Sequence, residues 1–378
     1  MTIRLITVLR AGLTRLRRST TRWWEWCPPE ITAAGMADFW LPAQPATATS
    51  PDAPIEERHG HPVRRIPPPE DPMTQTTEEA ARLSLKDLPD DRIFDAITLH
   101  SGGGELLRVE YMPVSLDGGA LVARLEFSDG SRAVLKAARR GGRAGEQMQR
   151  EIWARTHGIS VPGPPLLWAG TVDQFHMLLT RYVNDFYRNS PSLTSGSPDL
   201  PAVLDGLAAF ENRRTADSVP GGAPLFEEDL VPVVQDAYSV LDTLPDLDRD
   251  VWMSALHRVD FHAVAGTTLL HGALVPRHLL VAPGNPLVIA DWAGAAYGRA
   301  WADLVPFGVH LVCAGWLPDA AEELLQRTFP CWRQAPHGAV TGLIAAWTLH
   351  QALLASHTPP TALQSAGLAW VSHRLRPV

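Results

Sequence analysis

A polar stretch rich in proline and serine, residues 184–201, divides the chain into two parts with different hydrophobic periods. Before it, from about Asp91, short apolar runs of strand length alternate with turns, at 106–114, 120–127 and 133–137. The last two are joined by Ser128-Asp129-Gly130-Ser131, and Asp-Gly at such a place suits the positive φ of a tight hairpin. A helical stretch at 145–157 follows, then Val161-Pro162-Gly163-Pro164-Pro165, whose prolines forbid helix and require an extended connector. Residues 166–169 and 176–183 can each supply a further strand. After the divide the signals turn helical, at 202–211, 230–241 and 251–265, and in several segments from Trp301 onward. The pattern predicts an α+β chain with a small β-rich N-lobe over 73–183 and a larger helical C-lobe over 184–378.

The first 72 residues read differently. Arg4, Arg10, Arg15, Arg17, Arg18 and Arg22 precede the first acid, Glu25, while Leu5, Leu9, Leu13 and Leu16 fall at helical spacing. A basic amphipathic helix lying on a membrane surface is one reading of this. Arg10 interrupts the apolar stretch, which argues against a secretory signal. Prolines from Pro28–Pro29 to Pro67–Pro69 punctuate the remainder, so the reading adopted is a disordered leader over 1–72, with Met73 an alternative start.

Charge and cysteine usage narrow the function classes. A formal net charge of −8 and a pI near 5.9 argue against nucleic acid as a partner. Cys27, Cys313 and Cys331 are far apart and form no CxxC pair, which points to a reducing, cytoplasmic setting without disulfides or structural zinc. No apolar run reaches the ~18 residues that a membrane span needs.

The chemistry concentrates in one segment. Leu269-Leu270-His271-Gly272-Ala273-Leu274-Val275-Pro276-Arg277-His278-Leu279-Leu280-Val281 is followed by a turn at 282–286 and then by Leu287-Val288-Ile289-Ala290-Asp291-Trp292. Two short apolar runs about a turn predict a β-hairpin that presents Asp291 at a strand end. The segment resembles the signature of the aminoglycoside phosphotransferase and choline kinase-like family, whose loop reads roughly HGDxxxxN and whose metal site reads DW or DF. His271, Gly272, Pro276, Asp291 and Trp292 match, as do Gly298 and Asp303 further on. The resemblance covers about residues 91–310 and implies a bilobal protein kinase-like fold with ATP and Mg²⁺ as cofactors.

It also implies roles upstream. Ser115, Gly118 and Gly119 sit where the family has its phosphate turn, although Asp117-Gly118-Gly119 is equally an ordinary hairpin turn. Lys136, closing the strand at 133–137, corresponds to the ATP-binding lysine, and Glu151 in the following helix to its ion-pair partner. Thr180-Arg181-Tyr182 corresponds to the hinge whose backbone meets adenine; Arg181 and Tyr182 complete the expected nucleotide site.

Two departures bear on activity. The family's catalytic aspartate is replaced by Ala273, and its metal-binding asparagine by His278. A methyl group neither accepts a proton nor orients a hydroxyl, and loss of a general base costs ~10²- to 10⁴-fold. Imidazole is a poor partner for magnesium, which prefers oxygen. No neighbour compensates: Val275 is apolar, Arg277 is cationic, and His271 reads as a loop-packing residue before it reads as a base. Ala293 replaces the acid that follows DW in the family, which weakens the case for a cationic acceptor; the acids at Glu227, Glu228, Asp229, Asp242, Asp246, Asp248 and Asp250 read as a solvated helix face.

The expectation is a pseudokinase, or a strongly impaired small-molecule kinase, that still binds nucleotide through Lys136 and Asp291. An active O-phosphotransferase acting on an amino sugar or similar alcohol is the first alternative. A scaffold for a protein partner without any ligand is the second.

Overall fold

A computed structural model of the chain describes residues 97–99, 104–112, 120–157, 159–183, 186–212, 214–243, 248–354 and 362–376. The leader over 1–72, Met73 and the expected phosphate turn at Ser115, Gly118 and Gly119 lie outside the described residues.

The fold is α+β and two-lobed, a five-stranded sheet with one helix followed by a larger, mainly helical lobe. Five antiparallel strands form the N-lobe sheet: β1 (Leu106–Tyr111), β2 (Ala120–Phe127), β3 (Arg132–Arg139), β4 (Leu166–Val172) and β5 (Phe175–Arg181), in the spatial order β1-β2-β3-β5-β4. Successive side chains of a strand point to opposite faces. On one face Leu121, Ala123, Leu125, Phe127, Leu135 and Leu179 pack into a core. On the other, Ala138 and Leu178 meet Met148 of α1 (Gly142–Thr156), the helix between β3 and β4. Lys136 stands opposite Leu178 in register, and the strand period therefore turns it toward α1. The predicted hairpin closes with Gly130 at φ 80° and Ser131 N–H donating to Asp129 Oδ1 at 2.8 Å.

The C-lobe contains the small strands β6 (Arg188–Asn189), β7 (Thr268–Leu270), β8 (Leu279–Val281), β9 (Val288–Ile289) and β10 (Ala296–Gly298). They form a β6-β8-β9 sheet and a β7-β10 pair. Around them pack α2 (Asp199–Glu211), α3 (Phe226–Thr243), α4 (Arg249–Leu256), α5 (Phe261–Val264), α6 (Leu304–Cys313), α7 (Pro318–Thr328), α8 (Pro330–Arg333), α9 (His337–Leu354) and α10 (Ala362–Leu375). Their apolar faces share one core with Trp252, Trp292, Phe307, Phe329 and Trp370 fully buried. Among the described residues no helix is long and apolar enough to cross a membrane.

The helix expected over 251–265 is two helices. Asp260 adopts an extended backbone (φ −129°, ψ 104°), and its carboxylate accepts from the N–H groups of His262 and Ala263 at 2.9 and 3.1 Å. An aspartate that can bond its own neighbours' backbone interrupts a helix and caps the next one, which apolar periodicity does not reveal.

Candidate active site

The cleft side of the N-lobe is organised by Lys136. Glu151 lies on the same stripe of α1 as Met148 and Ala154, facing the sheet, and is 4% exposed. A carboxylate on that stripe needs a cationic partner, and Lys136 Nζ donates to Glu151 Oε2 at 2.8 Å. The same Nζ donates to Asp291 Oδ1 at 2.9 Å, across a separation of 155 residues. Burial disfavours the ammonium, but Asp291 and then Glu151 outweigh it and hold Lys136 above its ordinary pKa. Burial likewise works against the Asp291 carboxylate; Lys136 prevails, and the group stays below the usual carboxylate range.

Asp291 sits in the left-handed region at φ 64°, ψ 70°, a backbone state that costs a non-glycine residue of order 1–3 kcal/mol. The next residue holds it there. Trp292 is fully buried, donates from Nε1 to Ile289 O at 2.8 Å, and packs edge-on against His271 and Phe210 with ring centroids 4.8 and 5.5 Å away. The β8–β9 hairpin thus presents Asp291 just past a strand end, the position that the sequence pattern predicts.

The loop carrying position 273 is clamped by its backbone. Asp303 Oδ2 accepts from His271 N–H at 2.8 Å and Oδ1 from Gly272 N–H at 2.9 Å. Arg214 Nη1 meets Asp303 Oδ2 at 2.5 Å and Nη2 donates to Ala300 O at 3.1 Å; both residues of this pair are 2% exposed. Asp303 was visible in the sequence as a motif position. Arg214 was not, because a lone arginine 89 residues upstream carries no periodic or motif cue.

His271 is completely buried. Its Nε2–H donates to Ala290 O at 2.8 Å, and Nδ1 accepts from Ala273 N–H at 3.3 Å. With both nitrogens committed to backbone groups it positions the loop and has no lone pair for an acceptor hydroxyl, so the base role named as a possibility for it is withdrawn. Ala273 itself presents only its methyl group.

His278 is held as a neutral ring. Nδ1–H donates to Ala273 O at 2.8 Å, while Nε2 accepts from Arg277 Nε–H at 3.2 Å and lies 3.5 Å from Asp291 Oδ2. Burial first and the Arg277 charge second push it down to about 3, so it contributes no cation to Asp291 at neutral pH. Magnesium, implied by the resemblance, needs several hard oxygens. Here the set reduces to one carboxylate already engaged by Lys136, beside an imidazole whose lone pair is taken. Among the described residues no group of three His, Cys, Asp or Glu side chains is placed to hold a metal. The residues present do not fit the ion.

At the hinge, Arg181 N–H donates to Pro165 O at 2.8 Å and Tyr182 N–H to Arg132 O at 3.0 Å. Tyr182 is buried, with the Arg132 guanidinium 4.5 Å above its ring. Both of these N–H groups are therefore spent inside the N-lobe. One of the acids assigned to a solvated face also proves otherwise. Asp229, at the start of α3, is 7% exposed and takes a two-pronged bond from Arg150 of α1, with both N–O distances 3.0 Å. The helix that carries Glu151 is thereby tied to the C-lobe.

No family model matches the chain, and no curated protein matches it. Several solved structures resemble it in shape. Aminoglycoside phosphotransferase APH(4)-Ia is 14% identical, with a TM-score of 0.47 over 75% of this chain and 95% of that one. Choline kinase LicA from Streptococcus pneumoniae is 14% identical, with a TM-score of 0.46 over 75% of this chain and 97% of that one. Macrolide 2'-phosphotransferase MphH from Brachybacterium faecium is 18% identical, with a TM-score of 0.44 over 74% of this chain and 97% of that one.

Proposed function

We propose that this chain is a pseudokinase of the phosphotransferase-like kind: a module that binds ATP in the cleft between its lobes and transfers phosphate poorly or not at all. One observation carries the reading. Lys136 is gripped by Glu151 and Asp291 at hydrogen-bond distance, while the position that would receive the acceptor's proton holds a methyl group and its histidine neighbour is spent on backbone contacts. Transfer of a phosphoryl group relies mainly on positioning and charge neutralisation. The positioning lysine survives here, and the acceptor side does not.

Two measurements on the full-length protein test this together. Thermal stabilisation by ATP reports binding, and phosphate release or transfer to an alcohol acceptor reports turnover. Stabilisation without turnover is the expected result. Turnover at rates typical of kinases would reinstate an active phosphotransferase, and absence of any stabilisation would leave a ligand-free scaffold.

A further inference from the structure

The place that the resemblance assigns to a divalent cation is built for a different positive charge. Asp291 Oδ2 and Arg277 Nε both lie within 3.5 Å of one atom, His278 Nε2. The hydrogen on His278 sits on Nδ1, because that nitrogen faces the Ala273 carbonyl at 2.8 Å. Nε2 therefore offers its lone pair to Arg277, and this bond fixes the guanidinium plane beside Asp291. Among the described residues the two terminal nitrogens of Arg277 make no hydrogen bond; burial pulls the guanidinium below its ordinary pKa, to about 10, and the Asp291 charge works against that. Arg277 is half-buried, which strengthens any charge-assisted contact that it makes.

We propose that Arg277 takes the cation's place, so that the cleft binds a nucleoside di- or triphosphate free of divalent metal, with Lys136 on one side of the phosphates and Arg277 on the other. This rests on the reading that the cleft holds nucleotide. Two neighbouring residues make one consistent device. Replacing an oxygen ligand by His278 removes magnesium's second anchor, and the same imidazole orients an arginine from the adjacent position. A guanidinium matches phosphate with a planar pair of N–H donors and keeps its charge at every physiological pH. It also repels a dication from the one carboxylate that remains. Metal-bound nucleotide, carrying less negative charge, should gain less from such a site than the free polyphosphate.

The test is affinity for ATP, ADP, adenosine and tripolyphosphate, measured by calorimetry on the full chain in EDTA and in millimolar magnesium. ATP and ADP should bind in EDTA at least as tightly as in magnesium, while adenosine and tripolyphosphate alone bind far more weakly. Arg277→Met should weaken ATP binding in EDTA by about ten- to a hundredfold, and Arg277→Lys by less. ATP binding that appears only with magnesium would overturn the proposal and leave nucleotide binding intact. So would metal-free binding that neither Arg277 variant alters. Tripolyphosphate binding as tightly as ATP would remove the nucleoside from the proposal. No binding of ATP in either condition defeats this proposal and the nucleotide reading together. The Lys variant keeps the test decisive if the Met variant fails to fold.

Discussion

Lys136 Nζ stands 2.9 Å from Asp291 Oδ1, joining the central strand of the N-lobe to the turn after β9 in the C-lobe. The bond spans the cleft, and Glu151 on α1 makes it a three-residue bridge. Arg150, the next residue, fastens α1 to Asp229 of α3 on the far lobe. Both partners of the lysine are therefore placed by the C-lobe, one directly and one through the helix. A ligand entering the cleft beside Lys136 would act on this bridge first.

Lys136→Ala should weaken ATP binding by about 1.5–3 kcal/mol, the worth of a charge-assisted contact to phosphate, and leave adenosine binding nearly unchanged. Calorimetry with both ligands checks this. Equal losses for the two would mean that the lysine serves only to neutralise Glu151 and Asp291.

Turnover of aminoglycosides, amino sugars or choline-like alcohols by the natural protein should fall far below the ~1–100 s⁻¹ of working kinases. Ala273→Asp and His278→Asn restore the missing acceptor and oxygen ligand, but Arg277 would still face Asp291. The combination with Arg277→Gly is therefore expected to show measurable magnesium-dependent ATP hydrolysis, and the double variant much less. Strong activity in the natural protein that depends on Asp291 would contradict the pseudokinase reading.

Arg214→Ala leaves the Asp303 carboxylate buried without its counter-charge, directly beneath the His271-Gly272 backbone. Breaking a buried pair in this way costs about 3–5 kcal/mol, seen as a lower midpoint of urea unfolding. A loss below about 1 kcal/mol would show that the loop is held by other contacts.

Acid should destabilise the fold from near neutrality, through His278 and, on α6, through His310, which packs edge-on to Trp347 with ring centroids 6.1 Å apart. Burial, with Arg277 adding, pushes this imidazole from 6.5 down to about 3. The unfolded chain then binds the extra proton at a higher pH than the folded one. The contribution is complete above pH 6.5 and is lost as pH falls toward 3, at up to about 1.4 kcal/mol per pH unit. His310→Gln should flatten that part of the stability profile, measured by urea unfolding between pH 4 and 7. An unchanged slope would place the acid sensitivity elsewhere.

Much of the architecture was legible in the chain because its cues are local. Short apolar runs of strand length marked β2 and β3; the Asp-Gly turn closed their hairpin; the apolar pair around 282–286 placed Asp291 at a strand end. That Ala273 and His278 depart from the loop pattern this segment resembles needed no structure to be seen. The break in the 251–265 helix escaped notice because a capping carboxylate competes for backbone donors without altering apolar spacing.

What the sequence determined by itself was which faces are apolar, where the chain turns, and which chemical groups stand in motif order. Tertiary structure alone decided which charges meet. Arg150 found Asp229 across 79 residues and Arg214 found Asp303 across 89, and nothing periodic relates either pair. The same holds within one short helical turn, where packing aims Arg277 at the ring of His278 and spends both nitrogens of His271 on backbone groups. The physical reason is that burial follows the repeat of a single element, whereas ion pairs and tautomers depend on which elements the core brings together and on how much water it leaves between them.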